Sequence, residues 1–126
     1  MLEIGLTGKA EAVVDEENTA LCMGSGNLEV FATPAMVALM EQAAAESLCL
    51  NDGESSVGTL LHIKHVAATP VRMRVWAEST LTEIDGKRLV FEVKAYDEAG
   101  LIGEGAHERF IVSADRFMER TEQKRK

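Results

Sequence analysis

The sequence predicts an α+β domain in which one long apolar helix packs against a strongly curved antiparallel sheet. Three observations carry this. A single helix-forming run follows Thr33-Pro34 and is rich in Ala, Leu and Met. Four segments rich in β-branched and aromatic residues then follow one another with short joints. The chain has 126 residues, 46% hydrophobic and 27% charged, which is the size and balance of one domain with a real core.

Residues 6–14 are expected to form a first strand. The helix opens at Thr33-Pro34, because Thr is a favoured N-cap and Pro suits the first helical position, where its missing N–H costs nothing. The run AMVALMEQAAAESLCL continues without Gly or Pro to the stop signal Asn51-Asp52-Gly53. Nearly every face of it is apolar, the pattern of a buried helix. Strands are expected at 55–66, 71–84, 88–97 and 101–112. Asp85-Gly86 and Glu98-Ala99-Gly100 join the later ones as hairpin turns, and Ala68-Thr69-Pro70 breaks the first from the second. Met73, Val75, Ala77 and Leu81 alternate with Arg72, Arg74, Glu78 and Thr80, so that strand has a buried and a wetter face. The tail from Ala114 is helix-compatible, and residues 115–126 are read as a C-terminal helix or a frayed end closing on Lys124, Arg125 and Lys126. Residues 1–126 thus form one domain. The order strand, helix, four antiparallel strands is that of the hot-dog fold. A lone hot-dog unit leaves an edge strand and one end of the helix pocket open, so a homodimer is the physical expectation.

Composition excludes several function classes. Thirteen Lys+Arg against twenty-one Asp+Glu give a net charge of −8, which argues against a sequence-independent nucleic-acid partner. No apolar run approaches the ~18–20 residues that span a bilayer, and the N-terminal MLEIGLTGKAEAVVDEE, without a basic start and apolar stretch, is not expected to be a signal peptide. Cys22 and Cys49 form no CxxC pair and are expected to be reduced, mostly buried thiols in a cytoplasmic protein. There is no GxSxG nucleophile elbow and no phosphate-binding loop, since Gly24-Ser25-Gly26 lacks both the spacing and the Lys.

Glu41 is the most informative polar residue. At helical spacing its neighbours are Val37, Ala38, Ala44, Ala45 and Leu48. A carboxylate so surrounded is poorly solvated, and it favours the neutral acid unless a partner, such as an Arg of the sheet, holds its charge. Thr33 is explained by capping alone, yet its hydroxyl sits beside a helix N-terminus, where free N–H groups favour developing negative charge. A rise of ~1.5 Å per residue separates Thr33 from Glu41 by about 12 Å along the axis. They could not pair directly, but could flank the two ends of one acyl group. His62 and His65 lie three apart on a strand and point to opposite faces, a poor spacing for joint metal binding. His65 shares the apolar face of Leu61 and Ile63. His107, beside Glu104, Glu108 and Arg109, is read as part of a surface polar network.

VFATPAMVALMEQ (30–42), VGTLLHIKHVAATP (57–70) and GAHERF (105–110) together resemble the fluoroacetyl-CoA thioesterase family of hot-dog proteins. The likeness runs in order from about Leu28 to Val112. It implies that Thr33, Glu41 and His65 form the catalytic set, and that Gly58 lies near the acyl thioester. The fluoroacetyl-selective pattern carries bulky aromatics just before VFAT. Gly24-Ser25-Gly26-Asn27 has none, so the gate for the fluorinated acyl group differs while the hydrolytic residues match. The resemblance implies hydrolysis of an acyl-CoA thioester. Glu41 attacks the carbonyl or activates water, Thr33 orients, His65 moves the proton, and Gly58 offers a backbone N–H to the thioester oxygen. Asn27 could hydrogen-bond an oxygenated acyl chain. Coenzyme A is part of the substrate, and no metal or redox cofactor is needed. The competing reading is a non-catalytic acyl-CoA-binding or regulatory domain on the same fold. A dehydratase is disfavoured because no Asp is followed five residues later by His.

Overall fold

The computed structural model describes residues 2–126. Its elements run β1 (Thr7–Val13), α1 (Ala20–Met23), α2 (Thr33–Glu46), β2 (Glu54–His65), β3 (Arg74–Asp85), β4 (Arg88–Asp97), β5 (Gly100–Ser113) and α3 (Ala114–Glu122), with a 3-10 turn at Gln123–Arg125. The strands form one curled antiparallel sheet in the order β1-β3-β4-β5-β2. Alternation sets its two faces: Val75, Ala77, Ser79 and Leu81 are buried on β3, and Leu89, Phe91, Val93 and Ala95 on β4. Their register brings Ala77 against Ala95 and Leu81 against Phe91, so both rows face one core. Between β3 and β4 the chain reverses at Gly86, whose φ of 61° suits glycine. The β4–β5 turn is held by Asp97, whose Oδ1 accepts from the N–H groups of Ala99 and Gly100 at 2.8 and 3.1 Å.

Helix α2 lies on the core face and packs mainly against β1 and β3. Met36, Leu39, Met40, Ala43 and Ala44 are buried, the i, i+3, i+4, i+7, i+8 stripe of an amphipathic helix. Each large apolar side chain so buried contributes roughly 1.5–3 kcal/mol. Contact with β1 is close enough that a Cβ at Gly8 would collide with the Ala43 carbonyl.

Several expectations are corrected. The helix ends at Glu46 rather than running on to Asn51, because Ser47 turns its hydroxyl onto the Ala44 carbonyl at 2.6 Å. It is also not buried all round. Pro34, Ala38 and Gln42 are exposed, since a sheet ending in β2 covers only one side of it. Thr33 is not the N-cap: Ala32 holds that position without a side-chain cap, and Thr33 is already helical. Strand β3 begins at Arg74, not at residue 71, because Arg72 takes a left-handed φ of 81° and donates its N–H to the Val14 carbonyl. Both cysteines are exposed. Cys22 lies on the one-turn helix α1, which the sequence reading does not anticipate, and Cys49 lies beyond the end of α2, so neither reaches the core. Among the described residues no helix is long and apolar enough to cross a membrane.

Candidate active site

Thr33 and His65 come together. The Thr33 Oγ1 lies 2.7 Å from His65 Nδ1, so the hydroxyl freed from capping duty fixes the imidazole instead. Two backbone devices hold the pair in place. Phe31 donates its N–H to the Thr69 carbonyl at 2.9 Å, and Val30 bridges Pro70. Thr69 itself is fully buried and donates its hydroxyl to Asp97 Oδ2 at 2.7 Å. The segment after His65 is thus tied both to the segment before Thr33 and to the β4–β5 turn. Burial pushes the His65 imidazole below the usual histidine range. Its Nε2 is buried and has no hydrogen-bond partner among the described residues. Thr33 and His65 line a cavity of about 250 Å³ whose other walls include Ala20, Ser25, Phe31, Ala67 and Ala68.

Glu41 stands further along α2, and no hydrogen bond joins it to Thr33 or His65. Its side chain is 39% exposed and pairs with Arg109 of β5, whose Nη1 lies 3.4 Å from Oε2. The partner from the sheet is therefore present. Arg109 is only 8% exposed and donates further to Ser56, from Nε to Oγ at 2.8 Å and from Nη2 to the carbonyl at 3.0 Å. Burial lowers its guanidinium from the ordinary arginine range, and the Glu41 charge opposes that shift. A fork anchored on β2 through Nε and Nη2, with Nη1 turned to a carboxylate, is a means of holding that carboxylate in one orientation.

Gly58 belongs to the same cluster. A Cβ at this position would strike Glu41 Oε2 and come within 3.2 Å of His107 Cε1. The glycine faces Arg109 across the β2–β5 ladder, directly before an irregularity between Gly58 and Leu60. The missing side chain is thus the space the carboxylate occupies.

Two participants escape sequence reasoning. Arg109 figures there only as a neighbour of His107, and His107 as a surface group; His107 is in fact fully buried. Its ring stacks on Phe91 with centroids 6.0 Å apart, and burial lowers its pKa, as does the Arg109 charge. The available signal is alternation: Gly103, Gly105, His107 and Arg109 share one face of β5. Asn27 sits on the exposed loop before α2 and does not line the cavity with Thr33 and His65. Arg74 of β3 is engaged elsewhere, pairing with Glu11 at 2.9 Å and lying 5.5 Å above the Trp76 ring.

Known proteins share this arrangement of elements. The family model for fluoroacetyl-CoA-specific thioesterase matches residues 14–115. The fluoroacetyl-CoA thioesterase of Streptantibioticus cattleyicolor is 40% identical over 98 residues, 76% of this chain and 70% of that protein. A solved structure of a fluoroacetyl-CoA thioesterase superposes with a TM-score of 0.92 at 32% identity, covering 98% of each chain. A thioesterase-superfamily protein from Thermus thermophilus gives a TM-score of 0.91 at 29% identity, over 99% of this chain and 94% of that one. With the fold, the extent of the match and the identity in agreement, this chain belongs to the fluoroacetyl-CoA-specific thioesterase family of hot-dog proteins.

Proposed function

We propose that this protein hydrolyses acyl-CoA thioesters, with Glu41 as the reacting carboxylate and Thr33 and His65 as its helpers. One observation carries the reading. The Glu41 carboxylate is held from behind by a buried Arg109 and lies against Gly58, on a strand position that is exposed and lacks a side chain. A binding module has no need to fix a carboxylate this way. Glu41 either attacks the thioester carbonyl, giving a mixed anhydride that water then opens, or takes a proton from the attacking water. In both routes the C–S bond breaks, the thiolate of coenzyme A leaves and becomes the thiol by taking, through His65, a proton that the attacking water supplies, and the acyl group leaves as the carboxylate, with the second water proton passing to solvent. Thr33 orients His65 through the 2.7 Å contact. The backbone N–H of Gly58 supports the developing oxyanion. A family relative crystallised with fluoroacetate and CoA supports coenzyme A as the carrier.

The working unit is proposed to be a homodimer. Strand β2 is an edge of the sheet, Leu60 on it is exposed, and the open face of α2 carries Pro34 and Ala38. A partner pairing along β2 would cover both and bring its own residues toward the gap between Glu41 and the Thr33–His65 pair. The acyl group is proposed to extend beyond fluoroacetyl. No aromatic stands in the loop at 24–27, and Ala20, Ala67 and Ala68 leave the cavity wall small. Asn27 enters the proposal as the side chain that closure of this loop would bring to an oxygenated acyl chain.

Thiol release across a panel of acetyl-, fluoroacetyl-, branched and hydroxylated acyl-CoAs tests the reading. Turnover is expected on several of these, and Glu41→Gln is expected to lower kcat by roughly a hundredfold or more. Tight acyl-CoA binding without thiol release would favour the binding-domain alternative. Single turnover in ¹⁸O-water identifies direct attack with opening at the Glu41 carbonyl, since the first product then leaves with an oxygen of Glu41 and the label enters Glu41 instead; trapping of the acyl-Glu41 anhydride identifies direct attack with opening at the acyl carbonyl.

A further inference from the structure

We propose that His107 is a positioning residue for the reacting carboxylate: as a neutral imidazole carrying its proton on Nδ1, it fixes the Arg109 guanidinium that presents Glu41. The proposal rests on Glu41 being the reacting group. His107 is the one fully buried histidine among the described residues, and the hydrolytic steps make no use of it.

The hydrogen bonds define its protonation. Nδ1 lies 2.9 Å from the Leu60 carbonyl, which can only accept, so Nδ1 carries a hydrogen. Nε2 lies 3.2 Å from Arg109 Nη1, which can only donate, so Nε2 offers its lone pair. A single species satisfies both contacts, the neutral Nδ1–H tautomer. An imidazolium would set N–H against N–H and place a second positive charge beside Arg109. The charged groups around the ring are Arg109 and Glu108 on its own strand and Glu41 from α2.

The consequence falls on Glu41. Arg109 Nη1 has two hydrogens, and its two partners are His107 Nε2 and Glu41 Oε2, the latter at 3.4 Å. Nε and Nη2 are already committed to Ser56. The guanidinium is a rigid plane, so the acceptor at His107 is the third anchor that fixes it beside the two at Ser56, and the remaining Nη1 hydrogen then faces the carboxylate. The network also closes on itself. Leu60 and Gly58 flank the irregularity in the β2–β5 ladder, so His107 grips the same bulge against which Glu41 rests. Packing against Phe91 alone would require an apolar ring, not a ring with two matched polar partners.

Two substitutions separate the relay from packing. His107→Asn keeps a donor where Nδ1 stands but has no atom at Nε2. His107→Gln reaches the Nε2 position with an acceptor oxygen but gives up the bond to Leu60. The relay predicts that Gln retains most of kcat, whereas Asn loses roughly tenfold to a hundredfold with KM little changed. ¹⁵N spectra of the unaltered protein at neutral pH are expected to show Nδ1 protonated and Nε2 bare. Equal kcat for the two variants, or an Nε2–H tautomer in the unaltered protein, overturns the relay. Should either variant fail to fold, the tautomer measurement on the unaltered protein decides by itself. Absence of thioester cleavage by the unaltered protein overturns the hydrolase reading and the relay's catalytic role together. Cleavage with indistinguishable Asn and Gln variants overturns the relay alone.

Discussion

Arg109 changes what Glu41 is. A carboxylate among Val37, Ala44 and Leu48 reads from sequence as a desolvated acid in need of a partner, and the partner stands 68 residues away on β5. Gly58 and Thr33 are likewise explained by contacts outside their own elements. Gly58→Ala is expected to collapse turnover with only a modest fall in melting temperature, from the tight approach to His107. The new methyl would displace the Glu41 carboxylate, but the residue sits on an exposed strand with no unusual φ to lose. A misplacement of about 1 Å at a reacting group can cost about a hundredfold; normal kcat in the Gly58→Ala variant would remove the close approach from the mechanism. Thr33→Val removes the hydroxyl that holds His65 and should lower kcat, whereas Thr33→Ser should restore most of it, measured by thiol release. Capping at the helix start would be indifferent to this pair, because Thr33 does not cap.

At the scale of elements, the hinge of the site is the loop from Val66 to Met73. Thr69 joins three pieces, with its carbonyl on Phe31 and its hydroxyl on Asp97. Thr69→Val leaves a buried carboxylate oxygen without its partner and should destabilise the fold by about 1–3 kcal/mol in denaturant unfolding. The same change should weaken catalysis beyond that loss, since Phe31 and Thr33 share the anchor. A variant equal to wild type in both would show that the latch is decorative. Much at this scale is legible in the sequence. Strand periodicity locates β2, β4 and β5 to within a residue or so, because alternation is local and Asp-Gly and Ala-Gly joints mark the reversals. The start of β3 is not legible, since Arg72 takes a left-handed φ that arises from its bond to Val14, a partner distant in sequence. Helix α2 is evident but reads as too long, as Ser47 ends it with a hydroxyl whose role composition does not reveal.

For the whole molecule, the open edge of β2 and the bare face of α2 predict a dimer in solution. Light scattering at micromolar concentration is expected to give twice the mass of the chain, and an active monomer would contradict the assembly. Acid should also loosen the fold. His65 and His107 both have pKa values depressed by burial, so the unfolded chain binds more protons at these sites than the folded one below the ordinary histidine value. Their contribution is therefore intact above about pH 6.5 and is lost progressively as pH falls below it. Denaturation midpoints measured from about pH 7.5 to about pH 5 should decline, and His107→Gln should flatten part of the slope. A midpoint that holds or rises over that interval would refute the sign.

Residue order alone is enough to read the fold class, the strand that bears His65, the helix that bears Thr33 and Glu41, and the family. These depend on short-range patterning, on apolar periodicity and on motifs that stay contiguous. Packing adds that Thr33 serves His65 rather than the helix end, that His107 is interior, and that Glu41 is held by Arg109 over Gly58. Each of those is a contact between residues far apart in the chain, brought together by the β2–β5 pairing and by the seating of α2 on the sheet. Local patterning says which face a residue shows, and only the packed sheet says what stands opposite it.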